Sequence, residues 1–108
     1  MITAKEAFKK STIGYDNYIN NVKEIVKNEL ENYIAEKIEI TTGVGRFATD
    51  YWWGLSWFED QNINLEDFLH YMKCELEFFG YEVNISHNEE RAIIWIYWDQ
   101  EEEEEDNG

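Results

Sequence analysis

The sequence of 108 residues has no proline, one cysteine and six glycines, and these shortages limit what the chain can be. Without proline and with so little glycine, neither a flexible linker nor a second large domain is indicated. A single cysteine, Cys74, excludes an internal disulfide, and we interpret it as a small buried residue within a helix. No hydrophobic run approaches the roughly 18 residues of a membrane span, and the first residues lack the apolar core of a signal peptide. We therefore expect a soluble protein of the cytosol.

Basic residues are almost missing from the second half of the chain. Residues 1–49 hold seven acidic and seven basic residues, whereas residues 50–108 hold seventeen acidic residues against Lys73 and Arg91, a net charge of −15. The terminal stretch 100–108 contributes six of those acidic residues, so residues 50–99 still have a net charge of −9. Such a field repels nucleic acids and membrane headgroups and attracts basic surfaces. We expect a basic protein or nucleoprotein complex as the partner, with no direct nucleic acid and no membrane.

Apolar spacing predicts three helices. A short one is expected from Ile2 to about Ser11, followed by a break at Ser11–Gly14 (STIG). A long helix follows, with its apolar residues at spacings of three and four and its end near Lys37. The third helix is predicted between the N-cap Asn64 and a terminating glycine, Gly80. The apolar stripe of the long helix contains Tyr15, Tyr18, Ile19, Val22, Ile25, Val26, Leu30, Tyr33 and Ile34, and its solvated face contains Lys23, Glu24, Lys27, Glu29 and Glu31.

Alternation of apolar and polar residues predicts two β-hairpins. The first has Ile38–Thr41 as one strand, Gly43–Gly45 (GVG) as its turn, and the aromatic stretch Phe47–Phe58 as the other strand. A loop in place of this second strand is the alternative, because Gly54 interrupts it. The second joins Tyr81–Ser86 to Arg91–Trp98. Because Arg91–Trp98 is apolar on both faces, this strand is either covered on both sides or shows an aromatic face to a partner.

The order of these elements predicts an α+β fold. It consists of two N-terminal helices (one of them long), a β-hairpin, a helix and a C-terminal β-hairpin, with the helices packed on a small antiparallel sheet. Residues 1–99 form the single domain in this interpretation, and residues 100–108 form an acidic tail. The tail is either a solubilising run or an aid to encounter with the partner.

No motif indicates an enzyme. His70 and His87 are the only histidines, and neither has metal-ligand spacing, so we interpret His70 as a surface or boundary residue. His70 precedes Cys74 by four residues, which alone is weak support for a nucleophile. The GVGR segment around Arg46 lacks the further glycine and the lysine of a phosphate loop. We expect no catalytic residue, no metal and no cofactor, and a nucleotide pocket of Arg46 with Trp52 or Trp53 is a minor alternative.

Tryptophan is abundant, with five in the chain, and acidic residues flank most of them. Trp52 and Trp53 are adjacent, so on a strand they point to opposite faces and one of them reaches the surface unless helices cover both faces. Aromatic residues dominate binding hot spots, and carboxylates beside them can stand in for phosphates in a basic groove. The predicted partner-binding residues are Asp50, Tyr51, Trp52, Trp53, Trp57, Glu59, Asp60, Glu66, Asp67, Trp95, Trp98, Asp99, Glu101, Glu102 and Glu103.

Segments near the two ends of the sequence resemble small phage-encoded accessory proteins. Such proteins open with an Ile-x-x-Ala helical start, matched loosely by Ile2–Ala7 (ITAKEA), and close with a Gly-Tyr-x-Val helix end and a strand ending in Trp, matched by Gly80–Val83 (GYEV) and Ile93–Trp98 (IIWIYW). The aromatic stretch Tyr51–Phe58 departs from that plan. The resemblance implies a phage or mobile-element origin and an anti-defence role, for example as an anti-CRISPR-like inhibitor. The alternatives are an immunity or antitoxin partner of a basic nuclease toxin and a nucleotide-signal sponge, and a homo-oligomer stays open.

Overall fold

The first helix begins at a capping box. The Thr3 hydroxyl accepts a hydrogen bond from the Glu6 amide (3.1 Å), and the Glu6 carboxylate accepts one from the Thr3 amide (3.0 Å). From there the computed structural model, which describes residues 1–99, is helical as far as Gly43. This long helix consists of α1 (Ala4–Glu29), a π-helix segment (Leu30–Ile34) and α2 (Ala35–Gly43).

The predicted break at Ser11–Gly14 is wrong, because these residues continue α1. Thr12 is accommodated there since its hydroxyl donates to the Phe8 carbonyl (2.9 Å) one turn earlier, within the helix. Residues 8–17 are all exposed, so this part of α1 extends beyond the rest of the fold as an arm. In the part of the chain that the structure describes, no helix is both long and apolar enough to cross a membrane.

The first predicted hairpin is also wrong, because Ile38–Thr41 lies in α2. Its β-branched residues are tolerated since Ile38 and Thr41 are buried, and packing outweighs their weak helix propensity. The GVG segment ends this helix instead of turning a hairpin. Gly45 has a positive φ of 80°, and the amides of Gly45 and Arg46 donate to the carbonyls of Thr42 (3.0 Å) and Thr41 (3.2 Å), which is a Schellman cap.

The π-helix segment sets which residues of the long helix face the core. In an α-helix, four residues overshoot one turn by about 40°, so a stripe spaced by four drifts around the helix. The π-segment contains a wider turn, closed by a hydrogen bond from the Ala35 amide to the Leu30 carbonyl, and it offsets part of that drift. Tyr33, predicted in the stripe, is consequently 49% exposed. The residues of the long helix that are buried in the core are Val22, Val26, Ile34 and Ile38.

The remaining elements are one strand, two helices and two strands, in this order: β1 (Ala48–Gly54), α3 (Leu55–Gln61), α4 (Leu65–Phe78), β2 (Glu82–His87) and β3 (Arg91–Tyr97). The predicted second strand, Phe47–Phe58, is therefore a strand only as far as Gly54, which N-caps α3. The predictions for α4 and the C-terminal hairpin are confirmed. The Asn64 side chain accepts from the amides of Glu66 (2.8 Å) and Asp67 (3.0 Å), and Gly80 ends the helix at a φ of 98°.

The three strands form an antiparallel sheet in the order β1-β3-β2, which places β3 at its centre. Alternate residues of β3, namely Ala92, Ile94 and Ile96, are fully buried, whereas the residues between them are only partly buried. The helices thus cover one face of the sheet, which we call the inner face. The predicted α+β class, with a long N-terminal helix and helices on a small antiparallel sheet, is confirmed.

Two glycine substitutions test this architecture. Gly14→Ala should raise helix content and stabilise the arm by up to about 1 kcal/mol, because Gly14 lies inside an exposed helix with nothing near its Cβ position. Gly80→Ala should instead destabilise the fold by roughly 1 kcal/mol, because its φ is positive. Circular dichroism and urea unfolding measure the two effects. Loss of helix in Gly14→Ala would contradict the continuous helix.

Candidate partner-binding surface

The second face of the sheet carries an aromatic patch that no helix of residues 1–99 covers. Paired residues on antiparallel strands point to the same side. The register therefore places Trp95 between Asp50 and Asn84, and Ile93 between Trp52 and Ser86. Trp52 is 52% exposed. We call this patch the outer sheet face; its residues are Asp50, Trp52, Glu82, Asn84, Ser86, Arg91, Ile93, Trp95 and Tyr97.

This arrangement decides between the two interpretations of β3. The strand is central, but the helices cover only its inner side, so Ile93, Trp95 and Tyr97 stay half-buried on the outer side. Half-exposed aromatic rings on a regular sheet form a flat apolar surface of the kind found at protein interfaces. The second interpretation, an aromatic face open to a partner, is the one that this geometry supports.

Charged groups border the outer sheet face. The Arg91 guanidinium lies over the Trp52 ring, 4.5 Å from its centroid, and this cation–π contact restrains the indole. At the β1 edge, the Lys37 ammonium donates to the Asp50 backbone carbonyl (2.9 Å) and lies 3.6 Å from the Asp50 carboxylate. Because this ion pair is exposed, it contributes little to stability. The Glu82 carboxylate belongs to the other edge strand, directly across from Tyr97.

Trp53 must be removed from the predicted contact surface. It points to the inner face, is 5% exposed, and packs edge-on against Phe68 at a centroid distance of 4.8 Å. Its indole N–H donates to the Glu29 carboxylate (2.8 Å). Glu29 was predicted on the solvated face and is 7% exposed, because it accepts this hydrogen bond inside the fold. Trp57 is half-buried and also packs on Phe68 (5.2 Å), so both tryptophans contribute to the core.

Tyr51 and Trp98 are partly buried against other aromatic rings. Tyr51 lies on the inner face, 5.0 Å from Trp53 between ring centroids. Burial raises the pKa of the Tyr51 hydroxyl above its usual value, and the nearby Glu29 carboxylate and Tyr33 raise it further. Trp98 packs edge-on against Tyr81 at 6.0 Å. These rings therefore pack within the fold and do not belong to the outer sheet face.

Asp67 and Glu66 lie in the first turn of α4. The Tyr18 hydroxyl donates to the Asp67 carboxylate (2.9 Å) and accepts from the Asn64 amide (2.9 Å), so it links α1 to the start of α4. Burial, opposed by the Asn64 amide and supported by Asp67, raises the pKa of Tyr18. Glu66 lies 3.6 Å from the His87 ring, on the inner-face side. Neither carboxylate belongs to the outer sheet face.

The structure thus divides the predicted residues into groups. Asp50, Trp52 and Trp95 come together on the outer sheet face, while Glu59 and Asp60 are exposed on α3 and Asp99 is exposed just after β3. The predictions for Glu101, Glu102 and Glu103 fall outside the described residues. The prediction missed six residues of this face, whose signal is the alternation of side chains along β2 and β3 combined with the strand order. They are Glu82, Asn84, Ser86, Arg91, Ile93 and Tyr97.

A second concave feature lies between the long helix and α4. This groove has a volume of about 730 Å³ and is lined by Val26, Leu30 and Phe79 among others, with lysine and glutamate side chains among its lining residues. Cys74 also lines the groove and is exposed there, so its predicted burial is wrong. The Cys74 sulfur lies 3.8 Å from His70 Nε2, and His70 is exposed as predicted. Among residues 1–99, no cluster of His, Cys, Asp and Glu could hold a metal ion.

Comparison with protein-family models, curated proteins and solved structures finds no match to this chain. The geometry gives little support to a nucleotide pocket at Arg46. Arg46 precedes β1, whereas Trp52 lies about 13 Å along that strand from Ala48, and Trp53 is in the core. The outer sheet face is therefore the candidate binding surface.

The buried Trp53–Glu29 hydrogen bond should contribute measurably to the stability of the fold. Glu29→Ala leaves the indole N–H without an acceptor, and we expect it to lower the free energy of unfolding by about 1–3 kcal/mol. Glu29→Gln retains an acceptor and should lose less. Urea unfolding followed by tryptophan fluorescence measures both, with Glu31→Ala, which is exposed on the same helix, as the control. Equal stabilities of Glu29→Ala and Glu31→Ala would rule out this role.

The Tyr18 hydroxyl should make stability fall at alkaline pH. Its pKa is raised in the folded state, so the unfolded chain ionises first once the pH passes about 10. The stabilising contribution is complete below that pH and is lost as the pH rises toward the folded pKa. Tyr18→Phe should lose about 1–2 kcal/mol near neutral pH and show a shallower alkaline decline. Thermal unfolding from pH 8 to 11 checks this, and an unchanged slope in the variant argues against it.

Proposed function

We propose that the protein is a phage-encoded inhibitor that binds a basic, nucleic-acid-handling host defence complex, such as a CRISPR effector, through the outer sheet face. The observation that supports this most directly is the uncovered row of Trp52, Ile93, Trp95 and Tyr97 on a rigid sheet. Aromatic side chains on a rigid scaffold lose little conformational entropy on binding and are frequent binding hot spots.

The charges around this row select the type of partner. Asp50 and Glu82 lie on either side of β3, and residues 50–99 as a whole carry a net charge of −9. An acidic field speeds the encounter with a basic surface and repels other acidic molecules. The aromatic rings then supply the affinity, while carboxylates occupy positions that phosphates take in the partner's nucleic-acid groove. The mechanism is steric and electrostatic blockade in the host cytosol, without turnover.

Arg91 has a specific place in this proposal. Stacked on Trp52, it holds the indole in one orientation and leaves the remaining side of the ring for a partner. The Arg91 guanidinium also lies 3.7 Å from the Glu90 carboxylate, so its charge is paired within the chain and opposes a basic partner less. The resemblance of ITAKEA, GYEV and IIWIYW to phage accessory proteins also supports an anti-defence role. An immunity protein of a basic nuclease toxin would use the same surface chemistry, and the identity of the captured partner separates the two.

The test is capture from host-cell lysate by the immobilised protein at low and high salt. We expect a basic protein to bind at low salt and to be released steeply as salt rises. The double variant Trp52→Ala, Trp95→Ala should lose at least about 30-fold in affinity if both rings act as hot spots. The control is Phe78→Ala, which removes an aromatic ring that is 83% exposed on α4, away from the sheet.

Charge reversal provides an independent arm of that test. Asp50→Lys with Glu82→Lys should slow association, whereas Glu24→Lys with Glu36→Lys, which changes the net charge equally on the exposed side of the long helix, should have a smaller effect. Capture that is insensitive to salt, or equal loss in the sheet and helix variants, would contradict the proposed surface.

A further inference from the structure

The two edges of the sheet are protected to different degrees. β1 and β2 are both edge strands, since β3 lies between them. At β1, α2 packs alongside and the Lys37 ammonium donates to the Asp50 carbonyl. β2 pairs with β3 alone, and no other part of residues 1–99 hydrogen-bonds to its outer edge. It also lacks the proline, lysine or bulge with which proteins commonly prevent edge pairing.

The register shows which backbone groups of β2 point outward. Asn88 donates to the Arg91 carbonyl (3.0 Å), so these two form a hydrogen-bonded pair at the end of the hairpin. Hydrogen-bonded pairs alternate along an antiparallel ladder. The backbone groups of Ser86, Asn84 and Glu82 therefore face β3, and the N–H and C=O groups of the residues between them face away from the sheet. The outward-facing residues are Val83, Ile85 and His87.

We propose that β2 pairs antiparallel with β2 of a second copy of this chain, with the two-fold axis at Ile85. The three outward-facing residues are symmetric about Ile85, so this register joins all of their backbone groups in six hydrogen bonds. Ile85 lies opposite Ile85 of the second copy, and Val83 lies opposite His87. The result is a continuous six-stranded antiparallel sheet.

The side chains of β2 are compatible with this pairing. Ile85 is 38% exposed at the edge of the inner face, and pairing covers it with the same residue of the second copy. On the outer side, Asn84 lies opposite Ser86, and Glu82 lies opposite Asn88. No carboxylate of β2 therefore faces another carboxylate across the new ladder, and like charges there would oppose pairing.

The dimer has two consequences that the monomer lacks. A two-fold axis perpendicular to the sheet places both outer sheet faces on the same side of the assembly. In addition, each copy has a net charge of −15, so mutual repulsion opposes association and added salt should strengthen the dimer. This salt dependence is opposite to that expected for capture of a basic partner. Failure of one proposal can therefore be distinguished from failure of the other.

Disulfide trapping tests the register directly in a Cys74→Ser background. At position 85 the two Cα atoms in the proposed dimer would be about 5.5 Å apart, within disulfide reach. Two copies of residue 86 would be offset by two residues, about 7 Å along the strand in addition to the strand spacing, which is beyond that reach. We expect mild oxidation to give a covalent dimer with Ile85→Cys and not with Ser86→Cys. Equal trapping of both variants, or of neither, would overturn the proposal.

Sedimentation of the unmodified chain gives a second measurement. The dimer fraction should increase with salt, and Ile85→Pro should abolish the dimer because it removes an outward N–H. The same substitution spares the β2–β3 ladder, since that ladder does not use the Ile85 amide. Circular dichroism checks that the variant is folded. If it is not folded, the trapping results of the Ile85→Cys and Ser86→Cys variants decide. A folded Ile85→Pro chain that still dimerises, or an unmodified chain that stays monomeric at high salt, would refute the pairing.

Discussion

The hydrogen bond from the Trp53 indole to the Glu29 carboxylate is the contact around which the fold is arranged. It joins the edge strand β1 to the long helix across 24 positions of sequence, in a buried setting where a hydrogen bond is stronger than in water. Phe68 of α4 packs edge-on against the same indole. One side chain thus contacts the long helix and α4 from its place in the sheet, at the centre of the buried core.

This contact also fixes the direction of the neighbouring tryptophan. With Trp53 committed to the inner face, its neighbour Trp52 must point to the outer face. All helices in the described chain that reach the core approach from the inner side, because the fully buried residues of β3 lie there. The acidic residues divide in the same way. Glu29 and Asp67 are bound to Trp53 and Tyr18, whereas Asp50 and Glu82 border the outer sheet face.

Local signals in the sequence were sufficient for the elements with clear boundaries. The N-cap Asn64 and the terminating Gly80 predicted α4, and the alternation of Tyr81–Ser86 followed by the apolar run Arg91–Trp98 predicted the hairpin of β2 and β3. The Ile38–Thr41 strand failed because β propensity is weak when a helix can continue and bury the same residues. Tyr33 is exposed while its neighbour Ile34 is buried, and this difference depends on a π-turn that a pattern of fixed helical period does not contain. The burial of Glu29 depends on a partner far along the chain.

The candidate site was predictable to a similar extent. Adjacency alone required Trp52 and Trp53 to face opposite ways, but deciding which one is exposed requires the strand order and the position of the helices. The aromatic row of β3 was visible in the sequence, whereas the contribution of Glu82 required its pairing with Tyr97. Trp57 could not be separated from the exposed tryptophans, because α3 replaces the expected strand at Leu55.

The arm formed by the first turns of α1 changes how the molecule moves in solution. A compact chain of this length would have a radius of gyration of about 13 Å, whereas the value here is 17.8 Å, with extents of 65 × 34 × 23 Å. Such an elongated shape experiences more friction than a sphere of the same 13.0 kDa mass. A single copy therefore diffuses slowly enough to resemble a larger particle, so its rate of diffusion alone does not distinguish one copy from two.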